Sequence, residues 1–199
     1  MKRFAFLAVL ALVFAVPGTF AAENGSDLNH VEVGVFADYV RLHPANDANM
    51  LGLGGRLAFN VHNSVQMEAE MSYDFERTFT ATSNDTLGTV TTRSNLSMLH
   101  GLFGPKIQTG GGPIRLFATL KGGFLNFRGG SSTGTNTGNF SNQVNGILNG
   151  NTNGVFYPGG GVELFGGPIG IRIEVGDMMY FDNGANNNLR VTIGPQFRF

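Results

Sequence analysis

Most of this chain after Ala22 alternates apolar and polar residues with a period of two, and no helical period replaces it. Successive side chains on a strand point to opposite faces, so this period assigns strands with one apolar and one polar face. Val31, Val33, Val35, Ala37 and Tyr39 mark the first, with Glu32, Gly34, Phe36 and Asp38 between them. After a loop at Pro44 to Asp47, Leu51, Leu53, Leu57, Phe59 and Val61 oppose Gly52, Gly54, Arg56, Ala58 and Asn60. A turn at His62 to Ser64 leads to the cleanest alternation, in which Val65, Met67, Ala69, Met71, Tyr73 and Phe75 interleave with Gln66, Glu68, Glu70, Ser72, Asp74 and Glu76. A polar stretch, Thr82 to Thr91, separates this third strand from a fourth of ambiguous phase, Thr92 to Gln108. Thr109 to Pro113 is a turn, and Ile114 to Phe127 is the fifth strand. A low-complexity segment rich in Gly, Ser, Thr and Asn, Arg128 to Asn153, precedes the sixth strand at Val155 to Phe165. Gly166 to Pro168 turns into the seventh, where Ile169, Ile171, Ile173 and Val175 face away from Gly170, Arg172, Glu174 and Gly176. Past a loop at Asp182 to Asn187, the eighth sets Leu189, Val191, Ile193, Phe197 and Phe199 against Arg190, Thr192, Gly194, Gln196 and Arg198.

Eight strands joined by alternately short and long connections predict an all-β fold, an eight-stranded antiparallel up-and-down transmembrane β-barrel. The leading segment carries an address. Lys2 and Arg3 precede an apolar stretch from Phe4 to Val16, Pro17 and Gly18 break it, and Thr19 to Ala21 offers small residues for cleavage. Residues 1–21 are read as a signal peptide and 22–199 as the barrel domain, with cleavage after Ala22 as the variant. The apolar stretch falls short of the about 20 residues a spanning helix needs. Cysteine is absent, which removes disulfides and thiolate chemistry together. A formal charge of −1 without a basic cluster leaves nucleic acid out as a partner.

The polar face identifies the environment. It is a small set of carboxylates and guanidines spaced by Gly, Ser and Thr, not the Lys-rich exterior of a soluble sheet. Charged residues are only 14% of the chain and Gly is 30 of 199, as expected when half of each strand meets lipid and the other half fills a narrow lumen. Opposite charges on neighbouring strands predict an interior network of Glu32, Asp38, Arg56, Glu68, Glu70, Arg172, Glu174, Arg190 and Arg198. Arg198 is expected level with Glu32 across the barrel seam. A basic side chain at Val33, Leu53, Ala69 or Ile173 is expected to cost about 2–4 kcal/mol near the bilayer midplane, and the same change at an inward Gly or Ser less. Pro158 and Pro195 lie within strands that have no edge, so Pro195 requires a bulge or an unpaired position. Trp is absent, and the girdle is assigned to Phe together with Tyr39, Tyr73, Tyr157 and Tyr180.

Three stretches, Gly52 to Asn60, Glu68 to Tyr73 and Asn188 to Phe199, resemble the small eight-stranded outer-membrane barrels, the OmpA/OmpX-like β-barrel domains. The resemblance covers the chain after the leader. It implies residence in the outer membrane of a diderm bacterium, among outer-membrane lipid and lipopolysaccharide. It also implies recognition of Phe197 and Phe199, at the end of the last strand, by the barrel-assembly machinery.

Two other readings make different demands on the sequence. A lipid A-modifying barrel enzyme needs Ser, His and an acid together near the outer leaflet. His30 and His62 fall at the opposite end, His43 falls in the first long loop, Ser97 faces away from His100, and Ser94 is too far along the strand. A secreted lipocalin-like carrier of an apolar ligand would have a bulky apolar interior and a polar exterior. No catalytic, metal or cofactor site is assigned, since no His pair has ligand spacing. The role expected is non-enzymatic, in envelope integrity or adhesion, with a lumen too full for a general porin and with loops that can meet a surface ligand.

Overall fold

In the computed structural model, residues 30–42, 48–62, 64–85, 88–109, 112–132, 152–182 and 184–199 are described. They form β1 (Val31–Leu42), β2 (Ala48–His62), β3 (Val65–Asp85), β4 (Gly88–Gln108), β5 (Ile114–Ser132), β6 (Thr152–Gly166), β7 (Ile169–Asp177), β8 (Met179–Phe181), β9 (Ala185–Asn186) and β10 (Asn188–Arg198). β7 with β8, and β9 with β10, are single staves nicked at Met178 and Asn187. Leu189 pairs with Asp177 before the nick and Asn186 with Tyr180 after it, in one register, and the Met178 amide donates to the Asn188 carbonyl at 2.8 Å.

Each stave is antiparallel to its neighbour. β1 pairs with β10 and β5 with β6, so the sheet closes on itself as an eight-staved barrel. Closure removes every sheet edge. The seam is tied where the chain ends meet: the His30 amide donates to the Phe199 carbonyl and the Phe199 amide to the Val31 carbonyl, each at 2.9 Å. Glu32 stands opposite Arg198 there, in the expected register.

Three prolines interrupt this ladder without slipping it. β1 pairs Gly34 with Gln196 and Ala37 with Ile193, leaving the Pro195 level between them open, while Pro195 still faces Ile171 on β7. The same happens at Pro158, between the pairs Phe156–Met179 and Gly159–Gly176. It recurs at Pro105, between Phe103–Gly122 and Lys106–Thr119. A missing N–H costs one rung on one side and nothing on the other. At Pro105 the Thr119 hydroxyl donates to the exposed carbonyl at 3.1 Å. Pro195 is therefore met by an unpaired position and no bulge.

Two features depart from the sequence expectations. Thr82 to Thr91 is no loop: β3 and β4 run on as a paired hairpin as far as Asp85 and Gly88. Polar alternation satisfies a ladder as well as an apolar one does. The joins after β3 and after the seventh stave are consequently short, and the long third segment narrows to residues 133–151, which lie outside the described residues along with the leader 1–21. A bulge also sets Phe75 and Glu76 against the single residue Ser97, between the pairs Asp74–Met98 and Arg77–Leu96.

The wall is inverted relative to a soluble protein. Val61, Ile107, Ile114 and Leu116 are each at least 60% exposed, and large apolar side chains cover the outside of every full-length stave. Inside, Glu68, Glu163, Glu174, Lys106, Arg115 and Arg190 are fully buried. Tyr39 and Tyr73 are half-buried on the outer face, but Tyr157 and Tyr180 point into the lumen. The expected girdle loses these two because they sit in the inward phase of β6 and β8.

Candidate functional site

The lumen is built from inward positions of all eight staves and has two layers. The layer nearer the chain ends is charged. The layer nearer the β3–β4 hairpin is apolar, made of Val40, Leu42, Met50, Leu96, Met98, Leu125, Phe127, Val155, Tyr157, Met178 and Tyr180. Period-two patterning names the inward face but not what fills it along its length. The apolar layer was hidden because Val40, Met50 and Met98 look the same in a string as wall residues.

The charged layer begins at Glu32. Its carboxylate accepts from Arg115 Nη1 at 3.1 Å and Lys106 Nζ at 3.3 Å, and pairs with Gln196. Lys106 also donates to Glu163 at 2.6 Å. Arg172 joins Glu68, Glu163 and Glu174, including bonds of 3.0 Å to Glu68 Oε2 and Glu163 Oε1. Lys121 reaches Glu68 and Glu70 at 3.0 Å and Glu174 at 3.1 Å. Arg56 bonds Glu70 at 2.8 Å and Glu174 at 3.1 Å. Arg190 forks onto Asp38, with Nε and Nη2 at 3.1 and 2.9 Å, and also holds Glu70. Buried charges persist only when paired and hydrogen-bonded, and shared carboxylates knit these pairs into one network.

Aromatic rings separate the cations. Phe36 lies under both Arg56 and Arg190, with centroid distances of 4.7 and 5.6 Å. Phe117 takes Arg172 at 4.0 Å and Lys106 at 5.4 Å. Each ring stands opposite a glycine on the next stave: Phe36 opposite Gly54, Phe117 opposite Gly161 and Phe165 opposite Gly170. A Cβ on Gly54 would come within 2.4 Å of the Phe36 ring.

Of the nine residues read from the sequence, Glu32, Asp38, Arg56, Glu68, Glu70, Arg172, Glu174 and Arg190 come together in this layer. Arg198 does not. Its Nε donates to the Gly167 carbonyl at 2.9 Å and its guanidinium covers Phe165 at the rim. Being level with Glu32 in register left it beside a cluster whose acids Lys106 and Arg115 already occupy. Lys106, Arg115, Lys121, Glu163, Asp74 and His100 were not anticipated. Arg115, Phe117, Thr119 and Lys121 do alternate against Ile114, Leu116, Ala118 and Leu120, so that signal was present in the fifth strand.

At the boundary of the two layers Asp38, Asp74 and His100 converge from β1, β3 and β4, offering ligand atoms within 4.8 Å of one another. His100 Nε2 is 3.2 Å from Asp38 Oδ2, and Nδ1 is 3.5 Å from Asp74 Oδ2. All three side chains are wholly enclosed. Ligand spacing along one strand could not reveal a group assembled across three. Ser97 turns elsewhere, its hydroxyl donating to the Arg128 carbonyl at 3.2 Å.

No protein-family model and no curated protein matches the chain. Solved structures similar in backbone include Ail, the attachment invasion locus protein of Yersinia pestis, at 12% identity and a TM-score of 0.47, covering 85% of this chain and 96% of that one. The N-terminal β-barrel domain of Pseudomonas aeruginosa OprF has 12% identity and a TM-score of 0.47, covering 84% and 97%. Neisserial surface protein A has 8% identity and a TM-score of 0.46, covering 88% and 100%. The chain itself is an all-β, closed antiparallel barrel of eight staves with a charged lumen and an apolar wall, the fold that its resemblance to OmpA/OmpX-like barrels implies.

Proposed function

We propose that this chain is an integral outer-membrane barrel whose role is structural or adhesive, performed by its wall and loops without conduction through its lumen. The observation that carries this reading is the inverted polarity. Charges are at the centre, and exposed Leu, Ile, Val and Phe surround the barrel. Soluble monomers rarely expose an apolar patch beyond a few hundred Å², whereas a lipid-facing wall must be apolar throughout. The staves are long enough, since a tilted strand crosses the hydrocarbon in about 9–11 residues and the shortest stave, β1, has 12, Val31–Leu42. The chain ends and tight turns then lie on the periplasmic side, and the β3–β4 hairpin on the outer surface. Interior filling by Arg172, Lys121 and Tyr157 favours a sealed lumen over a general porin. The lipocalin-like reading required a polar exterior, and the exposed Leu116 and Ile114 on the outer wall speak against it.

The test has two arms. In a planar bilayer the protein gives no steady open-channel current, and a stable conductance contradicts the sealed lumen. On cells, replacing residues 133–151 with a short Gly–Ser linker removes binding to immobilised glycan or matrix protein while the barrel still inserts. Retention of full binding contradicts a role for that loop.

A further inference from the structure

We propose that Asp74, Asp38 and His100 form a binding site for one divalent first-row cation of the zinc class, enclosed where the charged and apolar layers of the lumen meet. The first observation is one of charge. Among the described residues, seven carboxylates are buried in the lumen, namely Glu32, Asp38, Glu68, Glu70, Asp74, Glu163 and Glu174, against six Arg or Lys side chains. Six of those carboxylates have an Arg or Lys nitrogen within ion-pair distance, and Asp74 alone has only His100.

The second observation is one of hydrogen bonding. Both Asp74 oxygens and both His100 ring nitrogens are buried without a hydrogen bond among the described residues. Nε2 lies 3.2 Å from Asp38 Oδ2 and Nδ1 lies 3.5 Å from Asp74 Oδ2. A neutral imidazole has one donor, and a doubly protonated one aligned on two acids would make two bonds. Neither arrangement describes four unbonded atoms, whereas a cation held by Asp38, Asp74 and one ring nitrogen of His100 would bond lone pairs of all three side chains and leave the other nitrogen as the N–H.

The donor set selects the cation. One imidazole and two carboxylates suit zinc and its neighbours, and they are poor in number and charge for calcium. The surroundings are prepared for it. Arg190 Nε and Nη2 both donate to Asp38 Oδ2, the oxygen that faces His100, and fix its orientation as groups outside the ligand shell do at metal sites. Gly52 makes room for Asp74, since a Cβ there would lie 2.5 Å from Asp74 Oδ1. The bulge at Phe75 and Glu76 directly follows Asp74 on β3. Met50, Val40 and Met98, all wholly buried, roof the site, so the metal enters as the barrel closes and leaves only when it opens.

The test folds the full chain into detergent with Zn²⁺ present, removes free metal with chelator, and measures zinc per folded barrel. The wild-type barrel retains about one zinc, released on heat unfolding, and His100→Gln and Asp74→Asn barrels each retain less than about a tenth of that. A folded wild-type barrel without zinc overturns the proposal, as does a folded Asp74→Asn barrel that keeps a full equivalent. Should either variant fail to fold, X-ray absorption of the wild-type protein decides. Imidazole nitrogen and oxygen ligands at about 2.0–2.2 Å support the site, and a spectrum without imidazole overturns it.

Discussion

At the scale of single residues, the glycine content of the barrel is explained by rings and close backbones. Gly54, Gly161 and Gly170 each face an inward phenylalanine that stacks on a buried cation. Gly161 is the tightest of these: an added Cβ would come 2.0 Å from the Ile173 carbonyl oxygen and 2.7 Å from the Phe117 ring. Backbone cannot yield there as a flexible side chain could, so Gly161→Ala is predicted to destabilise the barrel by about 1–3 kcal/mol through overpacking. Urea unfolding in detergent measures it, and an unchanged midpoint would show that Phe117 and β7 can retreat. The same geometry bears on the expectation that a basic residue costs less at an inward Gly than on the wall. Gly52 and Gly54 look like empty lumen in the sequence, but Asp74 and Phe36 already fill the space. Side-chain volume from the opposite stave is not visible in a string of one stave.

At the scale of elements, the stave phases were legible and the contents of the phases were not. A period of two survives in sequence because each stave has one face in each environment, so β1, β2, β3, β7 and β10 could be read directly. β4 was ambiguous because Gly101, Gly104 and Pro105 interrupt its alternation. Its Lys106 and His100 were therefore absent from the predicted network. The β3–β4 hairpin resembles a loop in sequence because polar residues that leave the wall no longer alternate with apolar ones. Asp74 and Glu76 shared a phase in the sequence, and the bulge after Asp74 separates them. The outward phase itself yields a sharp prediction. Leu53 is 52% exposed on the wall, so Leu53→Arg should cost about 2–4 kcal/mol for folding into a bilayer, and Leu53→Met under about 1.5. Equal stability of the two variants in lipid vesicles would place Leu53 outside the hydrocarbon.

At the scale of the molecule, the barrel has two cores of different chemistry inside one wall. The charged layer near the chain ends is held by shared carboxylates, and removing any one partner leaves an uncompensated buried charge, at about 3–5 kcal/mol. The apolar layer toward the hairpin is an ordinary hydrophobic core that excludes water from above. Asp38, Asp74 and His100 lie between them, out of reach of solvent from either side. The same inversion that hides charge exposes Leu, Ile, Val and Phe to the outside, and membrane residence depends on that. The most direct test is gel migration of the membrane-fraction protein in cold detergent, with and without boiling. A closed membrane barrel stays folded until heated, so two mobilities are expected, with the unboiled species in the outer-membrane fraction. A single mobility, with the protein recovered in the soluble periplasmic fraction, would contradict it.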